Sequence, residues 1–328
     1  MDLGVNPLKE HPGASVSGKP HRIDVHHHVA PPFYIPELQA AGSQQHRLFE
    51  WSPSQSIAEM DRSSVATAIV SISEPGVSFL SRDRARAVSR QCNEYAARMA
   101  DDHPGRFGNF ATLPIPDVDA SLREIEYALD VLKADGVCLL TSYGSKYLGD
   151  PLFMPLMEEL NRRKSVVFTH PARPTCCVNV VPDVPVNVVE LGTDTARAMA
   201  GLVFSGTASQ CPDLRIIFSH GGGTGPVLAG RFVQYAESRK DLAERIPNGP
   251  LHEMRKFFYD TANAANPWAP APVVKLAGVS QILYGSDFPF RSSVDTVRGL
   301  IDYGFTQAEL QAIDRDNALA LLPRLQSS

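Results

Sequence analysis

Eight short runs of apolar and β-branched residues recur along this chain with helix-like stretches between them. That alternation constrains the fold more than any other feature. The runs are Arg22–Val25, Thr67–Ile72, Phe107–Thr112, Gly136–Thr141, Ser165–Thr169, Leu214–Phe218, Phe257–Asp260 and Gln281–Gly285. Near-continuous apolar runs suit strands buried on both faces, as in a parallel sheet. Helix candidates lie at Asp83–Met99, Ala120–Leu132, Leu152–Arg162, Val188–Thr207, Gly225–Ala243, Pro272–Leu276 and Gln307–Ala320. The pattern implies α/β architecture. Eight such units match a (β/α)8 TIM barrel, usually about 250 residues plus insertions. A doubly wound open sheet is the alternative. We expect residues 21–328 to form a single barrel domain behind a flexible polar tail at residues 1–20. The polar stretch Pro31–Trp51 reads as a small insertion after the first strand, and the proline-rich stretch Pro171–Pro185 as a second long loop.

Composition narrows the function classes. With 43% hydrophobic and 20% charged residues, the 328-residue chain can build a large core. The net charge of −5 lacks the basic excess of a nucleic-acid binder. No apolar run approaches the roughly 20 residues of a membrane helix. The cysteines are Cys92, Cys138, Cys176, Cys177 and Cys211. Their odd number and the absence of CxxC suggest neither a disulfide framework nor a cysteine-rich zinc site. Residues 1–20 have no apolar core of a signal peptide, so a cytoplasmic location is expected.

The chemistry sits where the runs end. The first continues into His26-His27-His28, the fifth ends Thr169-His170, the sixth ends Ser219-His220-Gly221-Gly222-Gly223, and the eighth ends Gly285-Ser286-Asp287. Residues two apart on a strand share a face, so His26 and His28 point together and His27 points away. In a barrel these ends converge on the C-terminal mouth, where active sites lie. Neutral imidazole and carboxylate are ligands for Zn, Mn and similar ions. Asp24 is expected to cap the strand end or to hold His26. The glycine triplet lacks phosphate-loop spacing and reads as close backbone approach beside His220.

These segments, together with Trp51-Ser52-Pro53, Glu59-Met60-Asp61 and Asp287-Phe288-Pro289, resemble the amidohydrolase superfamily. Within it they resemble the decarboxylase group that acts on aminocarboxymuconate semialdehyde, γ-resorcylate or 6-methylsalicylate. The segment Ser142–Tyr147 looks most like the 6-methylsalicylate branch. The resemblance spans residues from about 20 to about 290. It implies one divalent metal ion, Zn or Mn, held by His26, His28, His170 and Asp287, with His220 off the metal and handling protons. The fourth run ends without the lysine of binuclear relatives. The resemblance also implies that Arg47 and Arg231 bind the substrate carboxylate, the latter across the interface of a homodimer or higher homo-oligomer. Trp51, Phe288 and Phe290 are candidates to wall the substrate ring.

The implied reaction is non-oxidative decarboxylation of a small aromatic carboxylic acid of the o-hydroxybenzoate type, 6-methylsalicylate-like, or of a related enol-type acid. Asp287 or His220 supplies the proton. Metal-dependent hydrolysis of an amide, lactone or ester is the alternative, because it uses the same residues.

Overall fold

The structure, a computed structural model, describes residues 21–178 and 180–327. The expected tail at 1–20 lies outside them. Eight parallel strands follow one another in sequence order: β1 (Arg22–His28), β2 (Val65–Ser71), β3 (Phe107–Thr112), β4 (Gly136–Leu140), β5 (Val166–His170), β6 (Arg215–Phe218), β7 (Phe258–Asp260) and β8 (Ile282–Leu283). Each expected run became a strand. The sheet curls into a nearly closed barrel. The seam is made by the Val25 N–H on the Tyr284 carbonyl, the Asp287 N–H on the His26 carbonyl and the His28 N–H on the Phe288 carbonyl, at 2.7–2.9 Å.

Two apolar layers follow from strand alternation. Inside the barrel, Ile23, Val25, Ile69, Phe110, Phe168 and Ile217 pack together, with Leu321, Leu322 and Leu325 of the C-terminal segment in the same cluster. Outside it, Val137, Leu139, Val167, Ile216 and Phe218 face the surrounding helices.

A β-bulge interrupts the β1–β2 register between Asp24 and His27. Continued alternation from Ile23 and Val25 would bring His27 inward. The extra residue resets the phase and turns His26 and His28 inward instead. The sequence carries no visible mark of this bulge.

Helices cover the outer face, most of them near the expected positions. Two further ones are Pro53–Arg62 and Ser293–Tyr303. Both start where a serine caps them: Ser52 in a capping box with Gln55, and Ser292 on the Val294 N–H. The expected helix 225–243 stops at Glu237, and the one at 120–132 continues from Glu126 as a π-helical turn. The insertion after β1 forms two short helices, Ile35–Ala40 and His46–Phe49. After β4, Ser142–Tyr143 and Lys146–Tyr147 make a small hairpin.

One cysteine expectation is corrected. Cys176 and Cys177, adjacent on the loop after β5, are joined as a disulfide. A link between neighbours leaves no spacing signature, because it closes no chain loop. Cys92, Cys138 and Cys211 are free and buried.

Candidate metal centre

The barrel mouth gathers His26 and His28 from β1, His170 from β5 and Asp287 from just beyond β8. All four are buried, and one donor atom from each lies within 4.8 Å of the others. His170 extends the inward face of Val166 and Phe168, two residues apart on β5. Asp287 adopts φ 66°, which a residue with a side chain rarely takes. Its neighbour Gly285 must be glycine, since a Cβ there would stand 2.8 Å from the His26 Cβ and 3.0 Å from the Asp260 Cβ.

Each imidazole has its Nδ1 beside an acceptor. His26 Nδ1 donates to Asp260 Oδ2 at 2.7 Å, His28 Nδ1 to the Ser71 carbonyl at 3.3 Å, and His170 Nδ1 to the Pro171 carbonyl at 3.0 Å. This fixes the tautomer in which Nε2 is the free ligand atom. The Nε2 atoms of His26 and His28 face each other at 3.1 Å. Asp287 Oδ1 stands 3.3 and 3.2 Å from them without a well-formed hydrogen bond. Buried lone pairs so crowded need a positive charge between them. A divalent cation with nitrogen and oxygen ligands fits this donor set.

The protonation equilibria divide the three imidazoles. Burial alone would push His26 down, but Asp260 and then Asp287 outweigh it and raise its pKa to about 10. Burial and the neighbouring imidazoles hold His28 low and His170 far below the usual range. Burial would raise Asp287, yet the adjacent imidazoles of His220, His26 and His28 keep it a carboxylate well below the usual range. His28 and His170 are thus in the neutral form that binds metal.

His220 sits beside the cluster. Its Nε2 is 3.7 Å from Asp287 Oδ2 and makes no hydrogen bond. Its backbone is also left-handed, at φ 56°, and its N–H donates to Asp260 Oδ1 at 2.9 Å. Gly223 must be glycine as well, since a Cβ there would lie 2.1 Å from the Gly192 carbonyl oxygen.

Among the proposed substrate-binding residues, Phe290 meets His28 edge-on at 5.5 Å. Arg231 is exposed on the helix Gly225–Glu237. Trp51 is buried in the core and donates Nε1–H to Ser56 Oγ at 2.9 Å. Arg47 is exposed, and its Nη1 donates to the carbonyls of Phe290, at 2.7 Å, and Pro289, at 3.4 Å. Phe288 stacks on His27 at 4.9 Å. Asp24 bonds the His26 backbone N–H, while the His26 ring is held by Asp260. Asp260 went unassigned in the sequence, although its place at the end of the seventh run was the available signal. Asn263, which donates to Asp287 Oδ2 at 2.6 Å, gave no such signal.

A sequence profile described as amidohydrolase matches residues 23–324. Decarboxylase yanB of Aspergillus niger is 38% identical over 325 residues, covering 93% of this chain and 88% of its own. The 6-methylsalicylic acid decarboxylase of Penicillium expansum is 35% identical over 320 residues, covering 93% and 97%. A dihydroxybenzoic acid decarboxylase from Polaromonas sp. JS666, solved with bound manganese and 2-nitroresorcinol, superposes with a TM-score of 0.81. It is 21% identical and covers 92% of this chain and 97% of that one.

Proposed function

Because this chain belongs to the amidohydrolase family, we propose that it is a metal-dependent non-oxidative decarboxylase of an aromatic carboxylic acid, with 6-methylsalicylate-like o-hydroxybenzoates as the substrate class. The observation that carries this reading is the convergence of three Nε2 atoms and one carboxylate beside a free imidazole. His26, His28, His170 and Asp287 hold one ion, Mn or Zn, since a manganese-bound relative shares the fold and nitrogen–oxygen ligands admit both. When bound, the ion supplies Lewis-acid stabilisation of the substrate's oxygens and a template for its orientation. The His220–Asp287 pair holds the proton that the carboxylate-bearing ring carbon takes. The bond from that carbon to the carboxylate then breaks, its electron pair restores the aromatic ring, and CO2 leaves. Phe290 walls the ring from the His28 side.

Arg231 meets the substrate carboxylate from a second copy of the chain, so the active unit is a homodimer or larger. Exposed Val227 and Trp268 support this. They line a cavity of about 200 Å³ together with His220, leaving apolar surface for a partner to cover. No helix among the described residues is long and apolar enough to cross a membrane. We further propose a cytoplasmic location. Residues 21–328 act as one catalytic domain.

The test is metal analysis followed by CO2 release from a panel of o-hydroxybenzoates. The reading predicts a released CO2 for each substrate consumed. Metal-loaded protein that releases none, yet cleaves lactones or amides, sinks it.

A further inference from the structure

His27 stands between two of the proposed ligands, faces away from them, and is fully buried. Both ring nitrogens are engaged: Nδ1 lies 3.1 Å from Asp24 Oδ2, and Nε2 lies 2.9 Å from Ser56 Oγ. The proton directions follow from the groups themselves. Asp24 as a carboxylate only accepts, so Nδ1 carries the proton. Nε2 is then a lone pair and takes the Ser56 hydroxyl proton. The serine oxygen in turn accepts the Trp51 indole N–H, which only donates.

The far end of this chain reaches the segment beyond β8. Asp24 accepts the Ser286 N–H at 3.0 Å and its hydroxyl at 2.5 Å. The His27 ring stacks on Phe288 at 28°. The two residues flanking Asp287 are therefore gripped from the β1 side, while Asp287 itself holds a left-handed backbone that needs outside support. The order Asp, His, Ser is that of a hydrolytic triad. Ser56, however, is fully buried and already bonded to Trp51, so no substrate reaches it.

We propose that His27 is a positioning residue. The relay Trp51–Ser56–His27–Asp24 fixes Ser286 and Phe288 and so aims the Asp287 carboxylate at the metal cluster. The proposal rests on Asp287 being a ligand.

The experiment uses the full chain and three variants. His27→Phe keeps a ring against Phe288 and removes both hydrogen bonds. His27→Asn keeps a donor near the Nδ1 position. Ser56→Ala cuts the relay away from the metal. Affinity for Zn(II) is read by competition with a chromogenic chelator, and ligand geometry by the visible absorption of the cobalt(II)-loaded protein. Folded His27→Phe is expected to bind Zn(II) about tenfold more weakly, within the range for residues that orient ligands. Its cobalt spectrum shifts, and kcat falls with KM nearly unchanged. His27→Asn recovers most of the affinity, and Ser56→Ala moves the same way by less. Wild-type affinity and spectrum in folded His27→Phe overturn the proposal. If that variant does not fold, wild-type affinity in both of the others overturns it. His170→Ala in the same assay is the separate control: undiminished metal binding there refutes the ligand assignment rather than the relay.

Discussion

Asp260 lies outside the proposed ligand set, yet both of its oxygens are engaged at the centre. One oxygen takes the His26 Nδ1–H, and the other takes the backbone N–H groups of His220 and Ala262. Asp260→Ala should weaken metal binding by about 10- to 100-fold, measured by chelator competition, because it frees the His26 tautomer. Affinity equal to wild type would count against this account of His26. The same carboxylates make a pH prediction for chelator-stripped protein. The His26 pKa is raised from 6.5 to about 10. The stability its proton contributes is therefore fully present below about pH 6.5 and lost as pH rises toward 10. The midpoint of thermal unfolding of stripped protein should fall across that window. Metal-loaded protein, in which the cation takes the proton's place, should not show the fall; parallel curves would refute the assignment. At this scale the sequence was informative about donors, because each stood at the end of an apolar run. It did not separate the carboxylates that brace them. Asp24 and Asp260 both look like strand-end carboxylates, and only the three-dimensional pairing tells that Asp260 holds the His26 ring.

At the scale of elements, the strands were legible because burial on both faces leaves an unbroken apolar signature in each. The bulge in β1 was not, since three consecutive histidines offer the same side chain in either phase. The helices Pro53–Arg62 and Ser293–Tyr303 escaped for another reason: much of their signal lies in their serine caps. Caps also hold neighbouring elements together. Asp117 caps the helix Val118–Glu126 through the Ala120 N–H and binds Arg82 and Arg86 of the helix Arg82–Asp102. Asp117→Ala should cost about 1 kcal/mol in denaturant unfolding, chiefly from the lost cap. The arginine share should shrink at high salt. A variant as stable as wild type would show that the cap is replaced by water.

For the whole molecule, the barrel divides its labour between ends. The mouth carries the donors, and the C-terminal segment packs Leu321, Leu322 and Leu325 onto the apolar interior. If Arg231 serves a partner's mouth, dilution to monomer should abolish activity, and Arg231→Ala should raise KM without dispersing the oligomer. Sedimentation combined with activity measurements checks both, and a fully active monomer refutes the shared site. Nothing in the sequence itself revealed which exposed apolar side chains would gather beside the mouth, because Val227 and Trp268 come together only when the barrel closes. The seam between β1 and the residues after β8 has a further bearing, on biosynthesis. Two proposed ligands, at positions 26 and 28, leave the ribosome about 260 residues ahead of another, at 287. Synthesis at roughly 5–20 residues per second separates them by many seconds. The nascent chain therefore exposes a His-x-His pair to any passing ion long before the site can discriminate among metals. Any choice among ions can be made only when β1 meets the segment beyond β8.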